Sequence, residues 1–394
     1  MVHCKSHFRW VLLVGAVLAA LAPRGLRACP FCSAPTLTLT EQYAKADAAV
    51  LVQWSGGVKP EKDQAGSTTY EIVQVLRDPT KKFAKGNSIS LDRYRLGKKG
   101  DLSLLLGTRG DAIEWGSPLD VTETSFQYIV QAPAPESAAQ VRLAYFLKFL
   151  EFSDQSIAND AYGEFANAPY KDIVALAKML PHDKLRQWVV SKDVPVTRLG
   201  LYGLMLGLCG DPGDAPLMEQ KITEPTEEYR LGIEGVIAGY LLLKGEAGLE
   251  LIEQTKFVER YNGKPVVFSE TYAARSALLF MWTYGNGKIG AERLRKSLRL
   301  LLDRPEMTDL VIADLARWKD WSVQTRLMEM YGADPFNVPS VKRAIIRYMV
   351  ASTKDFLAGS GEPSLAHVTA GKKYLEELRQ KDPKMVQDVE KFSF

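Results

Sequence analysis

The stretch APAPE at residues 132–136 divides the chain into two parts with different hydrophobic periodicity. Before it, apolar and polar residues alternate over short segments, which is typical of half-buried β-strands. After it, apolar residues recur every three or four positions, the spacing that places them on one face of an α-helix. Proline disfavours the continuation of both kinds of element, so a linker that overlaps the end of this stretch is predicted at residues 134–138. The predicted fold class is therefore multidomain, β followed by α.

The part before the linker, residues 29–133, is predicted to be a small β-barrel. Its clearest strands are the apolar run AAVLVQW at 48–54 and the alternating run TTYEIVQVLR at 68–77. Further strands are predicted at 88–94, 102–106, 113–115 and 126–130. Short strands separated by glycine-containing turns favour a closed or partly closed barrel. A short helix at 40–47, capped by Thr40, is predicted to precede the first strand.

The order of elements in this part resembles the netrin-like, or tissue-inhibitor-of-metalloproteinase-like, OB-fold module. The resemblance rests on an early cysteine pair, a short helix, ADAAVLV at 46–52 and YEIVQVLR at 70–77, and covers about 100 residues. It implies an OB-like barrel. In that family the amine and carbonyl of the amino-terminal cysteine can chelate a protease zinc, which would give that role to Cys29. The family's C-x-C spacing is replaced here by C-x-x-C, and no cysteine lies between 33 and 208.

The part after the linker, residues 139–394, contains an internal repeat. RLGLYGLMLG at 198–207 matches RLGIEGVIAG at 230–239, an offset of 32 residues. The glycines recur every three or four positions, so they are expected to line one helix face and to let neighbouring helices approach closely. Helices are predicted at 139–152, 171–180, 196–209, 227–243, 269–284, 291–302, 309–318 and 341–353.

Repeated helix pairs of this length bury their apolar faces only by stacking on neighbours. The pattern resembles HEAT-type repeats over about 137–360 and implies an α-solenoid. Arg198, Arg230 and Arg275 occupy equivalent repeat positions. They are expected either to form a surface that binds an acidic protein partner or to cap and bridge adjacent repeats.

Residues 1–28 have the features of a secretory signal peptide. Basic residues precede the apolar run at 10–22, and small residues stand before Cys29. The protein is therefore predicted to be exported to the periplasm or the extracellular space. The leader has four basic and no acidic residues, so its removal changes the formal net charge from +3 to −1. A nucleic-acid partner is not expected from that charge.

The tetrapeptide CPFC at 29–32 is the most specific chemical group of the sequence. Cys29 and Cys32 are expected to form a disulfide or a thiol pair. LRAC at 26–29 also resembles a bacterial lipobox, so a lipoprotein attached to a membrane through Cys29 is an alternative. Cys209 lies on an apolar helical face and is expected to act as a small hydrophobic residue.

The remaining residues indicate binding rather than catalysis. Only His182 and His367 follow the leader, and they lie far apart in the sequence, so a catalytic triad or a multi-histidine metal site is hard to build from them. We therefore expect an exported non-enzymatic binding or scaffold protein with a protein partner, no metal and no cofactor. An extracytoplasmic thiol redox or metal-handling factor acting through Cys29 and Cys32 is the alternative, and a metalloprotease inhibitor is a third interpretation.

Overall fold

The computed structural model describes residues 29–32, 37–62, 65–225, 229–355 and 366–391. The chain divides into two compact units, Met1–Met179 and Leu180–Phe394. The predicted signal peptide lies outside the described residues. The first unit contains an antiparallel sheet followed by helices, and the second is helical apart from one short hairpin. The predicted order of β followed by α is confirmed.

The sheet of the first unit has six antiparallel strands. They are β1 (Ala48–Val58), β2 (Ser67–Arg77), β3 (Ser88–Leu91), β4 (Leu102–Arg109), β5 (Ile113–Trp115) and β6 (Leu119–Asp120). The order is β3-β2-β1-β4-β5, and β6 also pairs with β4. The central strand β1 is buried on both faces over its first five residues, which explains its continuous apolar sequence.

The sheet curves around an apolar core and is nearly closed. Val50, Val52, Tyr70, Ile72 and Leu105 form the centre of that core. The segment after β3 reaches the segment between β5 and β6, where the Arg95 guanidinium donates to the Pro118 carbonyl at 2.5 Å. The Arg93 guanidinium donates to the Gly116 carbonyl in the same region. Arg93 and Arg95 therefore help to hold the barrel-like sheet together.

Two local predictions in the first unit were wrong. Residues 126–130 are not a strand but part of helix α2 (Glu123–Gln131), because Thr122 and Ser125 form a capping box that starts a helix there. Helix α1 (Leu39–Lys45) is capped by Thr38, whose hydroxyl accepts the amide of Glu41 at 3.1 Å. Thr40 therefore lies inside the helix and is not its cap.

The first unit continues beyond the proline-rich stretch into α3 (Ala139–Phe146), α4 (Gln155–Asn167) and α5 (Tyr170–Val174). The buried carboxylates of Asp160 and Glu164 on α4 bind the start of α1. Asp160 Oδ1 accepts the Leu39 amide at 2.6 Å, and Glu164 Oε1 accepts the Thr38 hydroxyl at 2.5 Å. The predicted linker at 134–138 thus falls within this unit, since helices on its far side pack with elements before it.

Twelve helices are described in the second unit. They are α6 (His182–Val190), α7 (Leu199–Cys209), α8 (Ala215–Thr223), α9 (Ile233–Lys244), α10 (Gly248–Lys256), α11 (Phe268–Tyr284), α12 (Ala291–Arg299), α13 (Thr308–Arg317), α14 (Gln324–Met330), α15 (Pro339–Thr353), α16 (Ala366–Lys381) and α17 (Pro383–Lys391). Strands β7 (Arg260–Tyr261) and β8 (Lys264–Pro265) form the hairpin. Helix α9 packs against α7 and α11, and α13 packs against α15.

The repeated glycines bring the backbones of α7 and α9 into direct contact, as predicted. A Cβ on Gly207 would lie 2.3 Å from the Cα of Gly239, and a Cβ on Gly235 would lie 2.1 Å from the Gly200 carbonyl oxygen. Gly232 differs from the prediction. Its φ of +85° is left-handed, so it precedes α9, and the helix begins at Ile233.

Candidate functional site

An open groove lies between α13 and α15 in the second unit. Its cavity volume is about 520 Å³. The two helices run in the same direction, because contacts join their carboxyl-terminal ends: the Tyr348 hydroxyl donates to the Asp320 carbonyl, and Lys319 Nζ lies 2.6 Å from Asp355 Oδ1. Both walls of the groove are therefore continuous helices that start at the same end.

The floor of the groove is made of small apolar side chains. Ala313 and Ala316 come from α13, and Ala344 and Ala351 come from α15. Alanine favours the helix but contributes only a methyl group, so the space between the two helices stays open. Leu310 completes the apolar lining, and Tyr348 closes it below.

Arg343 and Arg347 line the same groove from α15 and are both exposed. They lie one turn apart on the same helix face, an arrangement that is slightly repulsive for like charges. No acidic residue stands three or four positions from either arginine in the sequence. Within the described ranges, neither guanidinium has an ion pair or a hydrogen bond. Asp309 lies at the amino-terminal end of the groove, where its Oδ1 accepts the Leu310 amide at 2.9 Å.

This lack of partners sets Arg343 and Arg347 apart from the other arginines of the second unit. Each of the others has at least one ion pair or hydrogen bond. They are Arg186, Arg198, Arg230, Arg260, Arg275, Arg293, Arg295, Arg299, Arg304, Arg317, Arg326 and Arg379. The exposed pair on α15 is thus available for charges from another molecule.

The arginines singled out in the sequence are internal. Arg198 is fully buried, and Arg275 is 5% exposed with its Nε 2.7 Å from Asp314 Oδ2. Arg230 donates to Glu270 at 2.9 Å and to the Lys221 carbonyl at 2.6 Å, near the end of α8. Arg230 and Arg275 therefore bridge neighbouring helices, which is the second of the two roles expected for them from the sequence, because a guanidinium removed from water needs a carboxylate or carbonyl.

The buried Glu270 also binds Lys256 Nζ at 2.5 Å, next to a small cavity of about 100 Å³. Burial lowers the pKa of Lys256, while the neighbouring Glu270 carboxylate opposes that shift. The Arg230 and Lys256 cations together hold the pKa of Glu270 below its usual value despite the opposing effect of burial. The charges of this cluster satisfy one another, so we assign it a structural role.

Cys29 and Cys32 form a disulfide in the first unit. Cys29 is buried, and its backbone N–H donates to the Ala166 carbonyl at 3.2 Å near the end of α4. Neither sulfur is a thiolate in this state, the form that attacks disulfides and binds metals. The Cys29 sulfur, being bonded to Cys32, also has no free valence for a thioether-linked lipid.

The remaining cysteine and the two described histidines are dispersed. Burial raises the pKa of the Cys209 thiol to about 11, so the thiol is protonated at neutral pH. His182 Nε2 lies 2.8 Å from Asp214 Oδ2, and this hydrogen bond raises the pKa of His182. His367 stacks on Trp321. In the part of the chain that the structure describes, no group of three or more histidine, cysteine, aspartate or glutamate side chains is placed to hold a metal ion.

Comparison with known proteins gave no relatives: no family model, curated protein or solved structure matches this chain. None of the helices in the described ranges has the length and apolar character needed to cross a membrane. The sequence reasoning missed the groove. Its signal was nevertheless present, because two arginines one turn apart without a carboxylate at helical spacing are visible in the sequence of α15.

Proposed function

We propose that this protein is an exported, non-enzymatic binding or scaffold protein that holds a protein partner in the α13–α15 groove. The observation that carries the proposal is a pair of exposed arginines, which have no partner among the described residues, beside an open apolar floor. A partner that supplies carboxylates and apolar side chains would relieve the repulsion between Arg343 and Arg347 and cover the alanines.

The packing of the second unit supports this proposal. Helix α7 packs on α9 and α9 on α11, while Arg275 links α11 to Asp314 of α13. Such consecutive packing is consistent with a HEAT-like α-solenoid, a fold that presents extended surfaces to proteins. In this proposal the barrel-like sheet is a netrin-like module, and the Cys29–Cys32 disulfide fastens the beginning of its chain.

The test compares proteins captured by the wild type and by a double charge reversal, Arg343→Glu with Arg347→Glu. Purified protein is immobilised, and extracytoplasmic extract of the source organism is passed over it at moderate ionic strength. The expected result is a partner that the wild type retains and the variant loses. Lys372→Glu with Lys373→Glu is the matched control, since it makes the same charge change on exposed residues of α16.

Equal capture by the wild type and the groove variant would refute this proposed function. Circular dichroism of both variants verifies that the helices remain folded. Thiol titration tests the alternative function, a thiol redox or metal-handling factor. If the native protein contains two reactive thiols at Cys29 and Cys32 in place of the disulfide, that alternative gains support.

A further inference from the structure

We infer that the occupant of the α13–α15 groove is an acidic α-helix of the partner, with two carboxylates one turn apart. This inference rests on the proposed function and specifies the chemistry of the partner's docking element. Four properties of the groove carry it: its length, its floor, the spacing of its two arginines and the order of charges along it.

The dimensions of the groove suit a helix. Its lining on α15 runs from Ser340 to Ala351, which at 1.5 Å per residue is about 16 Å, or three helical turns. The alanine floor lets another backbone come close, as small residues do wherever helices pack tightly. A docked helix would lie between α13 and α15 and bury its apolar stripe against Leu310, Ala313 and Ala344, the helix-in-groove mode of recognition.

The spacing of the arginines suits carboxylates on such a helix. Side chains four residues apart on a helix are roughly 5–6 Å apart at Cβ, and this applies equally to Arg343 with Arg347 and to two glutamates on a ligand. Each guanidinium offers a planar set of donors that fits a carboxylate in a bidentate manner. Since neither arginine has another partner in the described structure, no internal ion pair must be broken first.

The order of charges gives the ligand a direction. Because α13 and α15 run in parallel, Asp309 near the start of α13 lies towards the Ser340 end of the groove, followed by Arg343 and then Arg347. A ligand helix should therefore present a basic or neutral side chain to Asp309 and its carboxylates to the arginines. An extended polyanion fits less well, since the groove offers two cations and an apolar floor.

The experiment measures binding of labelled peptides to the full-length mature protein by fluorescence anisotropy. The probe is a helix-stabilised, alanine- and leucine-rich peptide of about 15 residues with two glutamates one turn apart. The control peptide has the same composition, with the glutamates two positions apart and hence on different faces. We expect the first peptide to bind about tenfold more tightly than the control.

Charge exchange makes the test specific. Arg343→Glu with Arg347→Glu should lose affinity for the glutamate peptide by about tenfold and gain it for a peptide with lysines in place of the glutamates. The inference is overturned if the two glutamate peptides bind with equal affinity. It is also overturned if the variant does not bind the lysine peptide more tightly than the wild type does. So does groove-dependent binding to anionic phospholipid vesicles or duplex DNA that exceeds binding to the peptide.

The two proposals fail in different ways. If the groove variant loses the captured partner but the glutamate peptide does not compete with that partner, the acidic-helix inference is wrong and the proposed function stands. If the variant captures the same proteins as the wild type, the proposed function is wrong.

Discussion

Helix α4 and helix α15 each carry two like charges one turn apart, and the two pairs have opposite surroundings. On α4, Asp160 and Glu164 are 8% and 2% exposed and accept hydrogen bonds from several donors. On α15, Arg343 and Arg347 are exposed and have no partner in the described residues. A pair of like charges at this spacing thus stabilises the fold where several hydrogen-bond donors surround it, as on α4. Where the described structure supplies no partner, as on α15, the pair is available to bind another molecule.

The largest effect is expected from removing Glu164. Its carboxylate accepts the Thr38 hydroxyl at 2.5 Å and the Arg142 guanidinium at 2.6 Å, and it also accepts from Thr40. Glu164→Ala should lower the free energy of unfolding of the first unit by about 3–5 kcal/mol, because it leaves partly buried donors and a cation without an acceptor. Urea denaturation of the full chain measures it. The control Glu136→Gln changes an exposed carboxylate and should have little effect. Equal free energies of unfolding for Glu164→Ala and Glu136→Gln would contradict the stabilising role assigned to Glu164.

A smaller effect is expected from Asp160, and it depends on pH. Burial raises the pKa of Asp160 to about 6 from an ordinary value of 3.8. The folded state therefore binds this proton more tightly than the unfolded state, so the contribution of Asp160 to stability falls as the pH rises from about 4 to about 6. Above pH 6, the difference between the folded and unfolded pKa values lowers the free energy of unfolding by about 3 kcal/mol relative to that of a protein with Asp160 protonated.

Asp160→Asn should remove that dependence. An asparagine can still accept the Leu39 amide and can donate to the Tyr128 oxygen, but it carries no charge. We expect the variant to be more stable than the wild type at pH 7 by up to about 3 kcal/mol and to lose most of that advantage at pH 4. Thermal unfolding of both proteins across this range measures the difference, and parallel stability curves would refute the assigned cause.

The smallest effect is expected from the arginine pair, and its sign is opposite to that of Glu164→Ala. Arg343→Glu replaces repulsion by an attraction between residue 343 and Arg347, and it places an acid near the start of α15. The protein should become more stable by about 0.5 kcal/mol, while its affinity for the proposed acidic partner should fall. Arg343→Gln should give about half of that gain. Destabilisation by both substitutions would show that the arginine is structural after all.

The sequence was sufficient to predict features that depend on local patterns. The apolar run at 48–54 and the alternating run at 68–77 predicted β1 and β2. The strand predicted at 113–115 has the observed bounds of β5. The glycine repeat predicted the close contact of α7 and α9 because that contact needs only residues without side chains.

Other features depend on residues far apart in the chain. The sequence did not decide between the two roles considered for Arg230 and Arg275. The carboxylates that bind them belong to Glu270 and Asp314, which lie about 40 residues further along the chain. The proline-containing stretch at 132–136 did not predict where the first unit ends. The unit includes α4 because the carboxylates of α4 accept hydrogen bonds from the start of α1, far away in the sequence. The groove required knowing that α13 and α15 are neighbours.

The glycine contact between α7 and α9 also constrains how this protein can evolve. With backbone against backbone at Gly207 and Gly239, there is no side chain whose size could be tuned to adjust the distance between the helices. Any residue other than glycine there forces the two main chains apart. Substitutions in the second unit should therefore be tolerated at other positions before they are tolerated at Gly207 or Gly239.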